Sequence, residues 1–281
     1  MKLYTDSAVD LPLSFFEKNK VTLIPLKVLI NDAIYDDILG IEPIKVYDFI
    51  REGGHPKTSQ ASLEQFLTLW TELAESNQQG LYLAFSSELS GTYNTAVMAM
   101  NQVKEDYPDL DLVIIDSKAA SLGYGRLAEE MVEARDLGLA RDEIASHLEQ
   151  RKLKMKHLFT VEDLDYLASG GRVSKASAFL GGLLNIRPLL HVEEGKLVPF
   201  EKIRGKKKIL NRMVELLLEK GDQLEKQTIG ISHGDDLELA LQLKTLIEKQ
   251  VQPKAFQIEI IGSTIASHTG PSTLALFFIE K

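Results

Sequence analysis

Two short apolar runs, Leu81-Tyr-Leu-Ala-Phe85 and Leu112-Val-Ile-Ile115, do most to limit what this chain can fold into. Each reads as a buried strand, and each is followed by a turn and a stretch of helix-forming sequence. With a third strand near Leu3, they predict an α/β fold whose first half holds a mainly parallel sheet flanked by helices. Ligands of such sheets collect at the carboxyl edge, where Asp6-Ser7 and the turn Ser86-Ser-Glu-Leu-Ser90-Gly-Thr-Tyr-Asn94 fall. In that turn Ser90 and Thr92 flank a glycine at the start of a helix, so free amides and the helix dipole favour an anion. The same pattern also suits Ser90 as a plain helix cap.

Elsewhere in the first half, Val21 to Ile30 and Ala33 to Asp36 read as a hairpin, and Pro43 to Arg51 as a helix. Gly53 to Ser62 is a polar loop. The stripe Leu63, Phe66, Leu67, Trp70, Leu73 and Ala74 is one buried helix face, with Ser62 as its cap. Residues 119 to 137 and 140 to 153 form two more helices. The character of the chain changes near Lys152 to His157, dividing it into an N-terminal α/β domain, 1–155, and a C-terminal mixed-sheet α/β domain, 156–281. In the second domain a helix of small and apolar residues runs through Ala178 to Leu184. A hairpin spans Ile186 to Ile203, helices lie at about 206 to 220 and 235 to 250, and strands lie at 228 to 231, 256 to 261 and 274 to 279. A loop surrounds Ala266 to Pro271.

Length fits two domains: 281 residues exceed one ordinary core. No apolar run reaches membrane-spanning length and the first residues lack an export pattern, so a soluble, cytoplasmic protein is expected. Having no cysteine, the chain has no disulfides, thiolate metal sites or cysteine nucleophile. The net charge of −9 argues against nucleic acid as a partner. Residues 1 to 150 carry 12 Lys and Arg against 25 Asp and Glu, a net −13, whereas residues 151 to 281 carry 20 against 16, a net +4. The basic half contains Arg172, Lys175, Arg187, Lys202, Arg204 and Lys206 to Lys208. That contrast either steers an acidic partner or a transient membrane contact to one end, or marks a solvated face.

No phosphate-binding P-loop occurs. Gly123-Tyr-Gly125-Arg-Leu-Ala128 matches a relaxed dinucleotide fingerprint but stands several residues beyond its strand. Asp36-Asp37 and Asp235-Asp236 lack a histidine at ligand spacing, and no metal is expected. A serine hydrolase could draw on Ser90, His268 and an aspartate, without a G-x-S-x-G elbow. One chemical type does recur, at Thr58-Ser59, Ser90-Gly91-Thr92 and His268-Thr269-Gly270. Brought together, these loops offer neutral hydroxyls, an imidazole and open amides to a single carboxylate, with no cationic partner evident beside Ser90.

The ordered set Asp6-Ser7-Ala-Val-Asp10, Lys57-Thr-Ser-Gln60, Ser90-Gly-Thr92, Gly170-Gly-Arg172, Arg187-Pro188, Arg204-Gly205 and His268-Thr-Gly-Pro271 resembles the DegV family of bacterial lipid-binding proteins, which includes the fatty-acid-binding subunits of fatty acid kinase. The resemblance covers the whole chain. It implies two α/β domains that hold a long-chain fatty acid between them, with its tail in an apolar tunnel and no cofactor. It places the carboxyl at Thr58, Ser90, Gly91 and His268, with Ser59, Thr92 and Thr269 beside them. It also implies delivery of the acid to a separate ATP-binding kinase subunit that makes acyl phosphate for phospholipid synthesis, with Arg172 and Arg204 used in docking or phosphate handling. Arg187 stands where many relatives have lysine, which keeps the charge but alters hydrogen bonding. For the tail, apolar residues of the first domain join Phe179, Leu180, Leu183 and Leu184, and the pair Gly181-Gly182 weakens that helix enough to suggest a gate. The alternative is an esterase or acyl-phosphate hydrolase using Ser90 and His268.

Overall fold

The computed structural model describes residues 1–174, 179 and 186–281. Strands β1 (Lys2–Asp6), β2 (Val21–Ile24), β6 (Gly80–Ala84) and β7 (Leu112–Asp116) form an all-parallel sheet in the order β2-β1-β6-β7. Every side chain of β6 is buried, as its unbroken apolar run requires. Helix α3 (Leu63–Glu75) packs with α4 (Thr92–Asp106) on one face, where Tyr4, Phe66, Trp70 and Tyr82 form an aromatic core, while α1 (Leu13–Asn19) contacts β2 and α6 (Arg141–Lys154) contacts β6 and β7. The Trp70 indole is satisfied there by the Ala96 carbonyl at 3.1 Å. The Ser62 hydroxyl caps α3 by accepting from Gln65 N at 3.2 Å.

The second half contains a six-stranded mixed sheet, ordered β10-β9-β8-β13-β11-β12. Its members are β8 (Met155–Thr160), β9 (Ile186–Glu193), β10 (Lys196–Arg204), β11 (Thr228–His233), β12 (Ala255–Ile260) and β13 (Leu274–Ile279), and only β11 and β12 run parallel. Helices α8 (Lys206–Lys220) and α9 (Leu237–Glu248) contribute to one core of this sheet. On its other side α5 (Ser121–Asp136) contacts β8, β11 and β13. A continuous apolar cluster runs from Leu3 and Leu83 through Leu122 and Leu127 of α5 to Phe159 and Phe277, so the two sheets share a core. Gly123 and Gly125 lie buried inside α5, and a Cβ at Gly125 would come within 2.5 Å of the Val9 carbonyl oxygen. These glycines serve close helix packing.

Three local expectations change. Val21 to Ile30 is two strands: Pro25 cannot donate to a ladder, so β2 ends at Ile24, the Leu26 amide turns to Ser7 Oγ at 3.0 Å, and β3 (Lys27–Ile30) begins a second sheet. That sheet, β4-β3-β5, pairs β3 with β4 (Ala33–Asp36) and with β5 (Lys57–Ser59), placing Thr58 opposite Val28. Lys57-Thr-Ser is thus a short strand rather than a loop. The residues around His268 form a helix, α10 (Ser263–Thr269), which packs on α2 (Pro43–Arg51). The helix expected through Ala178 to Leu184 lies outside the described residues, apart from Phe179.

Candidate functional site

A cavity of about 490 Å³ lies between the parallel-sheet layer, the three-stranded sheet and the six-stranded sheet. Thr58, Ser59 and Gln60 enter it from β5 and its exit, Ser90 and Gly91 from the turn before α4, and His268 and Thr269 from α10. Thr92 is not in the wall, but its hydroxyl lies 2.9 Å from Ser90 Oγ. Arg172 joins these residues from the segment after α7 (Leu164–Ser169). Ser59, Gln60 and Arg172 are exposed, whereas Phe159, His157 and Phe277 at other parts of the wall are buried. The polar end therefore faces solvent. Leu26, Phe85, Leu89, Ala120, Leu197, Ile261 and Phe277 are among the residues that give the remainder an apolar lining.

The Ser90 turn is built by Ser86, which is fully buried. Its carbonyl accepts from Leu89 N at 3.0 Å and Ser90 N at 3.1 Å, and its hydroxyl donates to the Gly195 carbonyl at 2.9 Å, tying the turn to the tip of the β9–β10 hairpin. Ser90 Oγ accepts from Thr92 N at 3.2 Å, so it does serve the helix start. The amide of Gly91 has no acceptor among the described residues. It remains available at the positive end of a helix of 15 residues.

His268 Nε2 lies 2.7 Å from Thr58 Oγ1, joining α10 to β5. Burial, helped by the positive charge of Arg172, lowers the His268 pKa to about 4, so the imidazole is neutral at physiological pH. Gly170 allows this placement, since a Cβ there would come within 2.8 Å of His268 Nδ1. The cation missing from the sequence around Ser90 is supplied from elsewhere: Arg172 Nε donates to the Leu89 carbonyl at 3.5 Å and its guanidinium to the Gly170 carbonyl. Tertiary folding thus corrects the expectation of purely neutral surroundings.

Other residues singled out in the sequence stand apart. Arg204 is exposed in a separate hollow with Glu162, Arg187 and Lys206. Phe179 packs against the shared core with Lys202 Nζ 5.3 Å from its ring centre and is not among the cavity's lining residues, while Leu180, Leu183 and Leu184 lie outside the described residues. Two cavity-lining residues were not among those singled out from the sequence. Gln60, whose Nε2 donates to Thr95 Oγ1 at 2.5 Å, lies over Gly91, and His157 forms part of the cavity wall. Gln60 was within reach, because it closes the Lys57 to Gln60 segment. No cluster of three or more metal-ligating side chains occurs among the described residues, and no described helix is long and apolar enough to cross a membrane.

A family model described as "Uncharacterised protein, DegV family" matches residues 1–281. The chain belongs to the DegV family. It is 40% identical over 280 residues to a DegV domain-containing protein of Clostridium perfringens, covering 99% of this chain and 96% of the relative. Among solved DegV-family structures it resembles one from Thermus thermophilus described as fatty acid binding, with a TM-score of 0.90, 30% identity, and coverage of 100% and 99% of the two chains. A stearic acid-binding protein from Eubacterium ventriosum matches with a TM-score of 0.89 and 28% identity, over 100% of this chain and 98% of the other.

Proposed function

We propose that this DegV protein binds a long-chain fatty acid in the cavity between its two halves, carboxyl group at the polar end and tail against the apolar wall, and presents it to a separate ATP-dependent kinase that forms acyl phosphate for phospholipid synthesis. The observation that carries this reading is the polarity of one cavity: Thr58, Ser90, Gly91 and His268 at a solvent-facing end, apolar side chains over most of the rest. Its 490 Å³ falls within the roughly 300–1,000 Å³ of small-molecule sites. Each methylene taken from water contributes about 0.8 kcal/mol, so the tail supplies most of the affinity and the head group sets direction.

A carboxylate moved from water needs donors. The Gly91 amide is one. When the neutral His268 ring donates from Nε2 to Thr58 Oγ1, the Thr58 hydroxyl proton is free to turn to a carboxylate oxygen, and the Ser90 and Thr92 hydroxyls can reorient in the same way. Arg172 adds a positive charge near the solvent-facing side, suited to an anionic head group and to phosphate handling. Arg204, outside the cavity with Arg187 and Lys206, suits docking of the kinase or a transient membrane contact.

The protein is read as a carrier without its own catalysis. A serine hydrolase needs its base on the nucleophile, whereas here the Ser90 hydroxyl pairs with Thr92 and the His268 ring with Thr58. Native mass spectrometry of protein purified from bacteria tests the reading. A fatty acid bound at unit stoichiometry is the expected result; an empty protein that hydrolyses acyl esters would replace the carrier by an enzyme.

A further inference from the structure

Tyr166 lies on α7 outside the cavity wall, yet it touches α10, which carries His268, and the segment that leads into β5, which carries Thr58. Its hydroxyl donates to the Ser267 carbonyl at 2.9 Å, one residue before His268. Its ring backs the end of α10, since a Cβ at Gly270 would sit 3.6 Å from Tyr166 Cδ1 and Cε1. On another side the ring stacks on His55, centroids 5.8 Å apart and planes at 22°, and His55 lies two residues before β5. One aromatic side chain therefore bridges the lead-in to the strand that presents Thr58 and the helix that presents His268.

We infer that Tyr166 is a positioning residue for the acid head group, clasping β5 through His55 and α10 through the Ser267 carbonyl so that Thr58 and His268 stand at hydrogen-bonding distance. The inference rests on the fatty-acid reading for its ligand, but the clasp is a property of the protein alone. The phenol suits this task physically. Half-buried, its hydroxyl is pushed up to a pKa of about 12 by burial, so it stays a donor across the working pH range. Its carbonyl partner sits in the last turn of a helix, where backbone oxygens lack intrahelical donors. Stacking on an imidazole gives a broad contact with few rotatable bonds to order. Because α10 is only seven residues long, its own hydrogen bonds hold it weakly and outside contacts decide where His268 points.

The test uses delipidated full-length protein, with Tyr166→Phe, Tyr166→Ala, His55→Ala, Thr58→Val and the double variant Thr58→Val with Tyr166→Ala. Oleic acid binding is measured by titration, and the His268 ring nitrogens are followed by 15N NMR without ligand. Tyr166→Phe, which keeps the stack and loses one hydrogen bond, should weaken binding about fivefold. Tyr166→Ala should weaken it more and shift the His268 ring resonances. Adding Tyr166→Ala to Thr58→Val should cost little further, because the clasp acts through the bond already removed. Unchanged His268 resonances in Tyr166→Ala, or losses that simply add in the double variant, would overturn the inference. Wild-type protein that binds no fatty acid would instead remove the reading of ligand, while the ring resonances still decide whether Tyr166 holds His268 in place.

Discussion

His157 on β8 and His268 on α10 line one cavity, and burial lowers the pKa of each to about 4. They differ in what remains of each ring. In His157, Nδ1 donates to the Met155 carbonyl at 3.1 Å and Nε2 accepts from Ala120 N at 3.3 Å, so both nitrogens are spent on backbone. The edge of its ring meets Phe277, with centroids 5.2 Å apart. In His268 the ring makes one hydrogen bond among the described residues, to a hydroxyl that itself faces the cavity. A depressed pKa therefore reports desolvation in both. What separates the two rings is where their hydrogen bonds end: one is closed on backbone, the other reaches a hydroxyl that faces the cavity.

Replacing each ring should separate stability from binding. His157→Leu keeps apolar bulk but orphans a buried amide and a buried carbonyl, each costing about 1–3 kcal/mol, so chemical denaturation should show the largest stability loss of any variant considered. Fatty acid affinity, corrected for the folded fraction, should fall little. His268→Ala should do the reverse. If the ring orients the Thr58 hydroxyl toward the carboxylate as proposed, its loss should weaken binding roughly tenfold or more by titration, with a small change in unfolding midpoint. If both variants lost stability and affinity in the same proportion, the distinction between the two rings would fail.

Gly170→Ala perturbs His268 alone without changing either ring chemically. Its backbone, φ −68° and ψ −12°, suits alanine, so the only new element is a methyl group 2.8 Å from His268 Nδ1. Displacing the ring should cost about 1 kcal/mol of binding, near fivefold. His157 and its neighbours should be unaffected, which ring resonances of both histidines can show in one spectrum.

The same contrast explains which parts of the molecule were legible in the sequence. Strands β6 and β7 are apolar runs and declare themselves, as does the buried stripe of α3. Strand β5 does not, because Lys57-Thr-Ser is polar and becomes a strand only by pairing with β3, whose own start depends on Pro25. Helix α10 does not either: Ser-Thr-Ile-Ala-Ser-His-Thr is too short for a periodic stripe and is held by its packing on α2, α7 and β3. At the site, the hydroxyl and imidazole chemistry of Thr58, Ser90 and His268 was readable as residue types. The nearness of Arg172 to Leu89 was not, since nothing local links them, and His157 was hidden in a segment whose charge drew attention as a junction. Backbone partners of a side chain are set by tertiary folding and leave no periodic mark.

Asp10 carries the same question to a carboxyl group. It is buried beside the cavity wall, where its carboxyl accepts from Gly262 N at 2.9 Å and from the Ser121 hydroxyl. Burial outweighs these bonds and raises its pKa from 3.8 to about 8. Between those values the folded protein holds a proton that the unfolded chain has released, so stability falls as pH rises through the window. Below about 6.5, His157 and His268 oppose this trend, because their folded pKa values lie below the unfolded one and stability rises with pH there. Above 6.5 the opposing slope of the two histidines fades, and the remaining decline belongs to Asp10, at most about 1.4 kcal/mol per pH unit for one proton, together with the buried Asp6 and Asp37, whose pKa values burial also raises, so the comparison with Asp10→Asn isolates the Asp10 share. Asp10→Asn keeps an acceptor for Gly262 N and can donate to Ser121, but it cannot ionise. Urea midpoints measured from pH 6.5 to 8 should therefore decline less in Asp10→Asn than in the parent. Equal slopes in the two proteins would mean that Asp10 is already ionised in the fold and that its two donors, rather than its burial, set its charge.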